Sequence, residues 1–182
     1  MNQKILQPTI FPPSVFFIGI GGIEVSALAR LALSKGANVA GTDMAQTDIT
    51  RELKKNGAKV IIAKTNRNID LQKYKPNLVI YSLAVPKTDP LLLQAKKLRI
   101  QTFGTNQMLG QISRSKFTIA VSGMHGKSTT SSMIGILAES AGLNPLVIVG
   151  TKVPQWKGNI RIKKNELRGK KLRNKDIFVL EA

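Results

Sequence analysis

Short apolar runs alternate along this chain with stretches of helical periodicity. Residues 15–20 (VFFIGI) form an aromatic and β-branched run that ends in glycine. Val25, Leu28, Ala29 and Ala32 then share one face of a helix predicted over 23–35, with Gly36 as its stop. A second strand over 38–42 leads into Asp43, and a polar helix over 48–56 leaves through Asn56-Gly57. Strands over 59–63, 78–82 and 100–103 follow, with helices over 89–97 and 106–112. Strands and helices alternating at this short spacing predict a doubly wound parallel sheet.

The pattern then restarts. Phe117–Val121 (FTIAV) reads as a buried strand, 123–127 as a glycine-punctuated turn and 127–141 as a helix closed by Gly142. Two more strands are predicted over 146–149 and 177–180. The polar run Ser113-Arg114-Ser115-Lys116 separates the two starts, so two units are expected, 1–113 and 114–182.

Composition narrows the class. With 182 residues and 42% apolar content the chain can bury a real core, which excludes a disordered tail. The absence of cysteine excludes a disulfide framework and thiolate chemistry, and His125 alone builds no zinc site. The longest apolar runs are too short to span a bilayer. Pro8, Pro12 and Pro13 interrupt any apolar signal core, and no small-residue cleavage site follows. The expectation is a cytoplasmic, soluble protein without a membrane partner.

The formal charge of +18 is uneven. Between Lys152 and Lys175 stand ten Lys/Arg against Glu166 alone. Such a cluster suits nucleic acid, an acidic membrane surface, anionic small molecules or simply a solvated loop. Nucleic acid is the weaker reading, because Trp156 is the cluster's one stacking aromatic and no reader motif is present.

Two turns carry candidate phosphate chemistry. In Gly19-Ile20-Gly21-Gly22-Ile23-Glu24, glycine at a strand end permits a tight turn and lets backbone approach a pyrophosphate at a helix N-terminus. Asp43 ends the next strand 21 residues after Gly22, where a carboxylate can accept from a ribose hydroxyl. Glu24 takes the third glycine's place, which suits the helix dipole but would repel a neighbouring phosphate. A purely structural βα turn is the alternative.

The second turn is Gly123-Met124-His125-Gly126-Lys127-Ser128-Thr129, between a strand and a helix. Val121 stands where the strict Walker pattern has its first glycine. The chemical core remains. Gly123 and Gly126 let N–H groups wrap a phosphate, Lys127 reaches the β/γ-phosphates, and the Ser128 hydroxyl can ligate Mg²⁺. His125 reads as shaping the turn. The fold class expected is α/β: a Rossmann-like parallel-sheet N-terminal domain followed by the start of a P-loop ATPase domain.

In order along nearly the whole chain, these residues resemble the Mur ligase family. The resemblance runs through 15–28 (VFFIGIGGIEVSAL), Gly41-Thr42-Asp43, Tyr81-Ser82-Leu83-Ala84, 119–130 (IAVSGMHGKSTT), Ala141-Gly142-Leu143-Asn144-Pro145 and 178–182 (FVLEA). The family's loop usually reads Gly-Thr-His-Gly-Lys-Thr, and the change to Met124 and Ser128 keeps each phosphate-facing role. It implies an ATP-dependent, amide-forming ligase of peptidoglycan precursor synthesis, with UDP-N-acetylmuramate and L-alanine as small-molecule substrates. UDP-sugar would sit at Gly19, Gly21, Gly22, Asp43 and Ser82, and ATP at Gly123 through Thr129, with Lys127 as the catalytic cation. Ser128 and Glu181 would hold Mg²⁺.

The departures from the family are Glu24, the long basic stretch 163–175, and the end of the sequence at Ala182, before the family's remaining sheet and closing domain. The expectation is therefore an N-terminal part that does not turn over alone. Rival readings are a ligase recycling UDP-N-acetylmuramate with a murein tripeptide, a truncated non-catalytic nucleotide-binding module, or an NAD(P) protein using the first turn only.

Overall fold

A computed structural model of the chain describes residues 10–162 and 176–181. Its first sheet contains β1 (Ser14–Ile18), β2 (Asn38–Asp43), β3 (Lys59–Ile62), β4 (Leu78–Tyr81) and β5 (Gln101–Gly104). All are parallel, in the order β3-β2-β1-β4-β5. Helices α1 (Ile23–Ser34), α2 (Asp48–Lys55), α3 (Pro90–Lys97) and α4 (Thr105–Arg114) make the connections. The central strand shows why its sequence is apolar throughout. Val15 and Phe17 pack with α1, α2 and α4, while Phe16 and Ile18 pack with α3 on the other face. A parallel strand covered on both sides has no polar position to alternate with.

Local chemistry fixes the helix starts. Thr47 and Thr50 form a reciprocal capping box at α2, and the Asp89 carboxylate accepts from the Leu91 N–H at 2.9 Å above α3. Helix α1 has no side-chain cap, because glycine occupies that position.

The second sheet contains β6 (Phe117–Val121), β7 (Leu146–Val153), β8 (Gly158–Arg161) and β9 (Ile177–Glu181), ordered β6-β9-β7-β8, with α5 (Lys127–Ser140) against it. Strands β6, β9 and β7 are parallel, and β8 folds back antiparallel to β7. The sequence pattern placed no strand at β8 and ended β7 four residues early. It also expected β6 to be buried, whereas β6 is an edge strand with no buried residue and Phe117 54% exposed. Strand β8 reads as part of the basic cluster, and its Asn159 and Arg161 are buried polar residues. Both are partnered. Arg161 donates to the Pro145 carbonyl, and its Nε lies 3.0 Å from Glu139 Oε1 on α5 as an ion pair. Arg161 is therefore part of the packed interior and not of a solvated basic face. Lys163, Lys164, Arg168, Lys170, Lys171, Arg173 and Lys175 lie outside the described residues, as do 1–9 and Ala182.

One apolar cluster runs through both sheets. Leu146, Ile148, Ile160 and Phe178 of the second sheet join α1 residues Ala27, Leu28 and Leu31, so α1 is a wall for both. The opposite face of the second sheet packs Val147, Val149 and Val179 against Ile134 and Ile136 of α5.

Polar bonds lock this junction. Arg30 of α1, whose side chain is 12% exposed, makes a two-pronged pair with Glu52 at 3.0 and 2.9 Å. Its Nη1 donates to Ser26 Oγ and, at 2.9 Å, to Asn159 Oδ1. Asn159 in turn donates to the Ile23 carbonyl at 2.8 Å. The hydrogen-bonded Arg30 guanidinium holds the Glu52 carboxyl below its ordinary value; partial burial opposes this, and Lys152 adds a smaller pull.

Two stability predictions follow from the network. Arg30→Ala strands Ser26 and Asn159 in the interior and should cost about 2–4 kcal/mol in urea unfolding. Glu52 is half-exposed, so Glu52→Gln should cost less than about 1 kcal/mol at neutral pH. Because the folded carboxyl titrates below 4.5, that smaller contribution is present above this pH and lost as the pH falls beneath it. Unfolding of wild type and Glu52→Gln should therefore converge in acid.

Candidate functional site

The first sheet reverses its winding between β1 and β4, and a crevice opens there at the carboxyl ends of the strands. The cavity measures about 640 Å³, and Gly19, Gly21, Gly22, Asp43 and Ser82 all line it. The five residues expected at a UDP-sugar site are thus on its wall.

The turn is built by close approaches. Gly19 has φ 77°, and a Cβ there would stand 3.1 Å from the Ser82 Cβ. Its N–H and that of Ile20 both donate to the Thr42 carbonyl. Gly22 adopts extended backbone as the N-cap of α1. Asp43, expected at a ribose hydroxyl, bonds the chain's own backbone. Its Oδ2 accepts from the Gly21 N–H at 2.7 Å, and its Oδ1 accepts from the Ala45 N–H at 3.1 Å. A Cβ on Gly21 would meet that Oδ2 at 2.8 Å, so the carboxylate and the glycine turn hold each other.

Ser82 also shapes backbone, its Oγ accepting from the Ala84 N–H at 3.3 Å. Glu24 is exposed on the first turn of α1 and forms no part of the cavity wall. The cavity also includes Lys64 and Arg67, which the motif reading missed. Their signal was positional: they follow β3, and loops after parallel strands line the crevice.

At the second turn, β6 delivers Ser122 to the loop and α5 begins at Lys127. Gly123 and Gly126 have φ 148° and 76°, values that glycine adopts freely. Met124 is 88% exposed, and His125 is exposed beside it. The Lys127 Nζ donates to the Gly123 carbonyl at 2.9 Å, so the ammonium lies over the loop. Thr129, in the first turn of α5, is exposed.

Strand β9 pairs with β6 in parallel, placing Glu181 beside Val121. The Ser128 hydroxyl donates to Glu181 Oε1 at 3.0 Å. The two residues read as cation ligands from separate parts of the sequence therefore meet. Two hard oxygen donors suit Mg²⁺, which usually takes only one or two protein ligands and completes its shell with phosphate and water. Among the described residues no cluster of three His, Cys, Asp or Glu forms a cation site by itself. No helix among them is long and apolar enough to cross a membrane.

A parallel sheet with a glycine turn at its switch point, followed by a strand, glycine loop and helix, defines an α/β protein with a Rossmann-like first sheet. The chain belongs to the Mur ligase family: the family described as "Mur ligase family, catalytic domain" matches residues 14–117. That match covers the first sheet and stops at the first residue of β6. Curated relatives named UDP-N-acetylmuramate–L-alanine ligase extend the likeness. The protein from Clostridium novyi is 38% identical over 153 residues, and that from Clostridium kluyveri 42% over 149 residues. These alignments cover 84% and 81% of this chain but 32% of each relative. The chain spans about a third of the length of the curated relatives it matches.

The crystal structure of the Thermotoga maritima UDP-N-acetylmuramate–alanine ligase superposes with a TM-score of 0.76 at 27% identity, covering 92% of this chain and 37% of that one. A Neisseria meningitides UDP-N-acetylmuramate:L-alanyl-gamma-D-glutamyl-meso-diaminopimelate ligase shares the fold, with a TM-score of 0.80 at 24% identity. It covers 93% of this chain and 52% of that one.

The tight first turn gives a direct test. Gly19→Ala forces a side chain into left-handed backbone against Ser82, and should lower stability by about 1–2 kcal/mol in thermal unfolding.

Proposed function

We propose that this chain supplies the UDP-sugar and ATP sites of a cytoplasmic ligase that joins L-alanine to UDP-N-acetylmuramate in peptidoglycan precursor synthesis. In this reading residues 1–113 hold the UDP-sugar and 114–182 begin the ATP domain. The observation that carries it is the convergence of Lys127, Ser128 and Glu181 at the start of α5, in a chain of this family. The names of the curated relatives, at 38% and 42% identity, support L-alanine as acceptor.

The chemistry is phosphoryl transfer followed by acyl transfer. The lactyl carboxylate takes the γ-phosphoryl group of ATP, releasing ADP. The amine of L-alanine attacks the resulting acyl phosphate, forms the amide and expels phosphate. Lys127 would move from the Gly123 carbonyl to the β/γ-phosphate oxygens, and loop N–H groups would direct their dipoles at the same charge. Mg²⁺, held by Ser128 and Glu181, would neutralise charge shared between the phosphates. The first glycine turn would place the pyrophosphate at the N-terminus of α1, with Lys64 and Arg67 as nearby cations.

Lys127→Ala should weaken ATP binding by about 2–4 kcal/mol in titration calorimetry, the range for losing a charged contact in a shielded site. Equal affinity in the variant would remove the phosphate-loop assignment. The same method separates the rival reading of the first cleft. UDP-N-acetylmuramate should bind and NAD(H) should not, and the opposite result would overturn the ligase reading.

A further inference from the structure

Gly150 lies on β7, and its backbone is not in the left-handed region, so no turn requires a glycine there. What requires it is the neighbouring side chain. The Gly150 N–H donates to Glu181 Oε2 at 2.6 Å, while Oε1 of the same carboxylate accepts from Ser128 at 3.0 Å. Pairing of β7 with β9 ends at Ile148 and Leu180, and beyond it this N–H meets a side chain. A Cβ on Gly150 would stand 3.1 Å from Oε2 and 3.2 Å from both Cδ and Oε1. Contacts that tight with all three carboxylate atoms would push the carboxylate away from β7 by a few tenths of an ångström and shift the Oε1 that faces Ser128.

We propose that Gly150 is a positioning residue for divalent-cation binding. Its N–H occupies Oε2 and leaves Oε1 aimed at Ser128. The bare backbone lets the carboxylate lie against β7. Without that anchor a glutamate near the end of a strand has three free side-chain rotors, and ordering them would weaken cation binding. The proposal rests on reading Ser128 and Glu181 as the cation pair.

The test measures ATP affinity of the full chain with and without Mg²⁺, each variant being compared with its own metal-free value. Glu181→Gln should abolish the gain that Mg²⁺ gives, and Gly150→Ala should cut it by about tenfold, as loss of a ligand-orienting partner does. A full gain retained by Gly150→Ala alone overturns the role of Gly150. A full gain retained by both variants overturns the cation pair itself. A second measurement needs no change at Gly150. In ¹⁵N-labelled protein the Gly150 amide proton should resonate downfield and move upfield in Glu181→Gln. An unmoved resonance overturns the contact.

Discussion

The hydrogen-bonded seat of Arg30 is the interaction on which the arrangement of both sheets depends. One guanidinium reaches α2 through Glu52, its own helix through Ser26, and the second sheet through Asn159. Asn159 then returns a bond to the Ile23 carbonyl, one residue beyond the glycine turn. The apolar cluster supplies most of the attraction between α1 and the second sheet, but it is non-directional. The polar bonds select one orientation, because any rotation of α1 against β8 would leave buried donors and acceptors unpaired.

In both candidate sites a carboxylate at a strand end holds a backbone amide. Asp43 fixes the Gly21 amide, Ser82 fixes the segment after β4, and Glu181 bridges Ser128 and Gly150. Carboxylates at the ends of β2 and β9 therefore perform comparable tasks in the two sheets. Each lies at the carboxyl edge of a parallel strand, next to a loop that enters a helix. Phosphate chemistry favours this layout, since helix N-termini and fixed amides present positive dipoles without the entropy of long cationic side chains.

The parallel strands and the two glycine turns were legible in the sequence because they depend on local signals. Residues 15–20 are apolar or glycine, 117–121 are apolar apart from Thr118, and the helices after them carry stops at Gly36 and Gly142. Gly19, Gly21, Gly22 and Asp43 were read from the first glycine turn and its spacing, and Ser128 from the second. Ser82 and Glu181 were expected only from the resemblance to the family. Strand β8 was hidden because Asn159 and Arg161 look solvent-facing until Arg30 and Glu139 arrive from distant parts of the chain. The place of Glu24 outside the crevice lining is likewise set by the fold. A glycine pattern gives sequence positions, but the direction of a side chain at the start of a helix depends on how that helix leaves the turn. Gly150 offered no motif, since its role exists only after β7 and β9 are side by side.

Sharing α1 between the sheets also governs how the molecule can be divided. The polar run between α4 and β6 marks a change of sheet, yet a chain cut there would uncover the flank of α1 that meets Leu146, Ile148 and Ile160. Arg30 would face water on one side, and Asn159 would leave the Ile23 carbonyl beside the glycine turn. The seam visible in the sequence is a boundary between strand systems but not between independently covered cores. Dissection at that seam would change the first cleft even though every residue lining it remained.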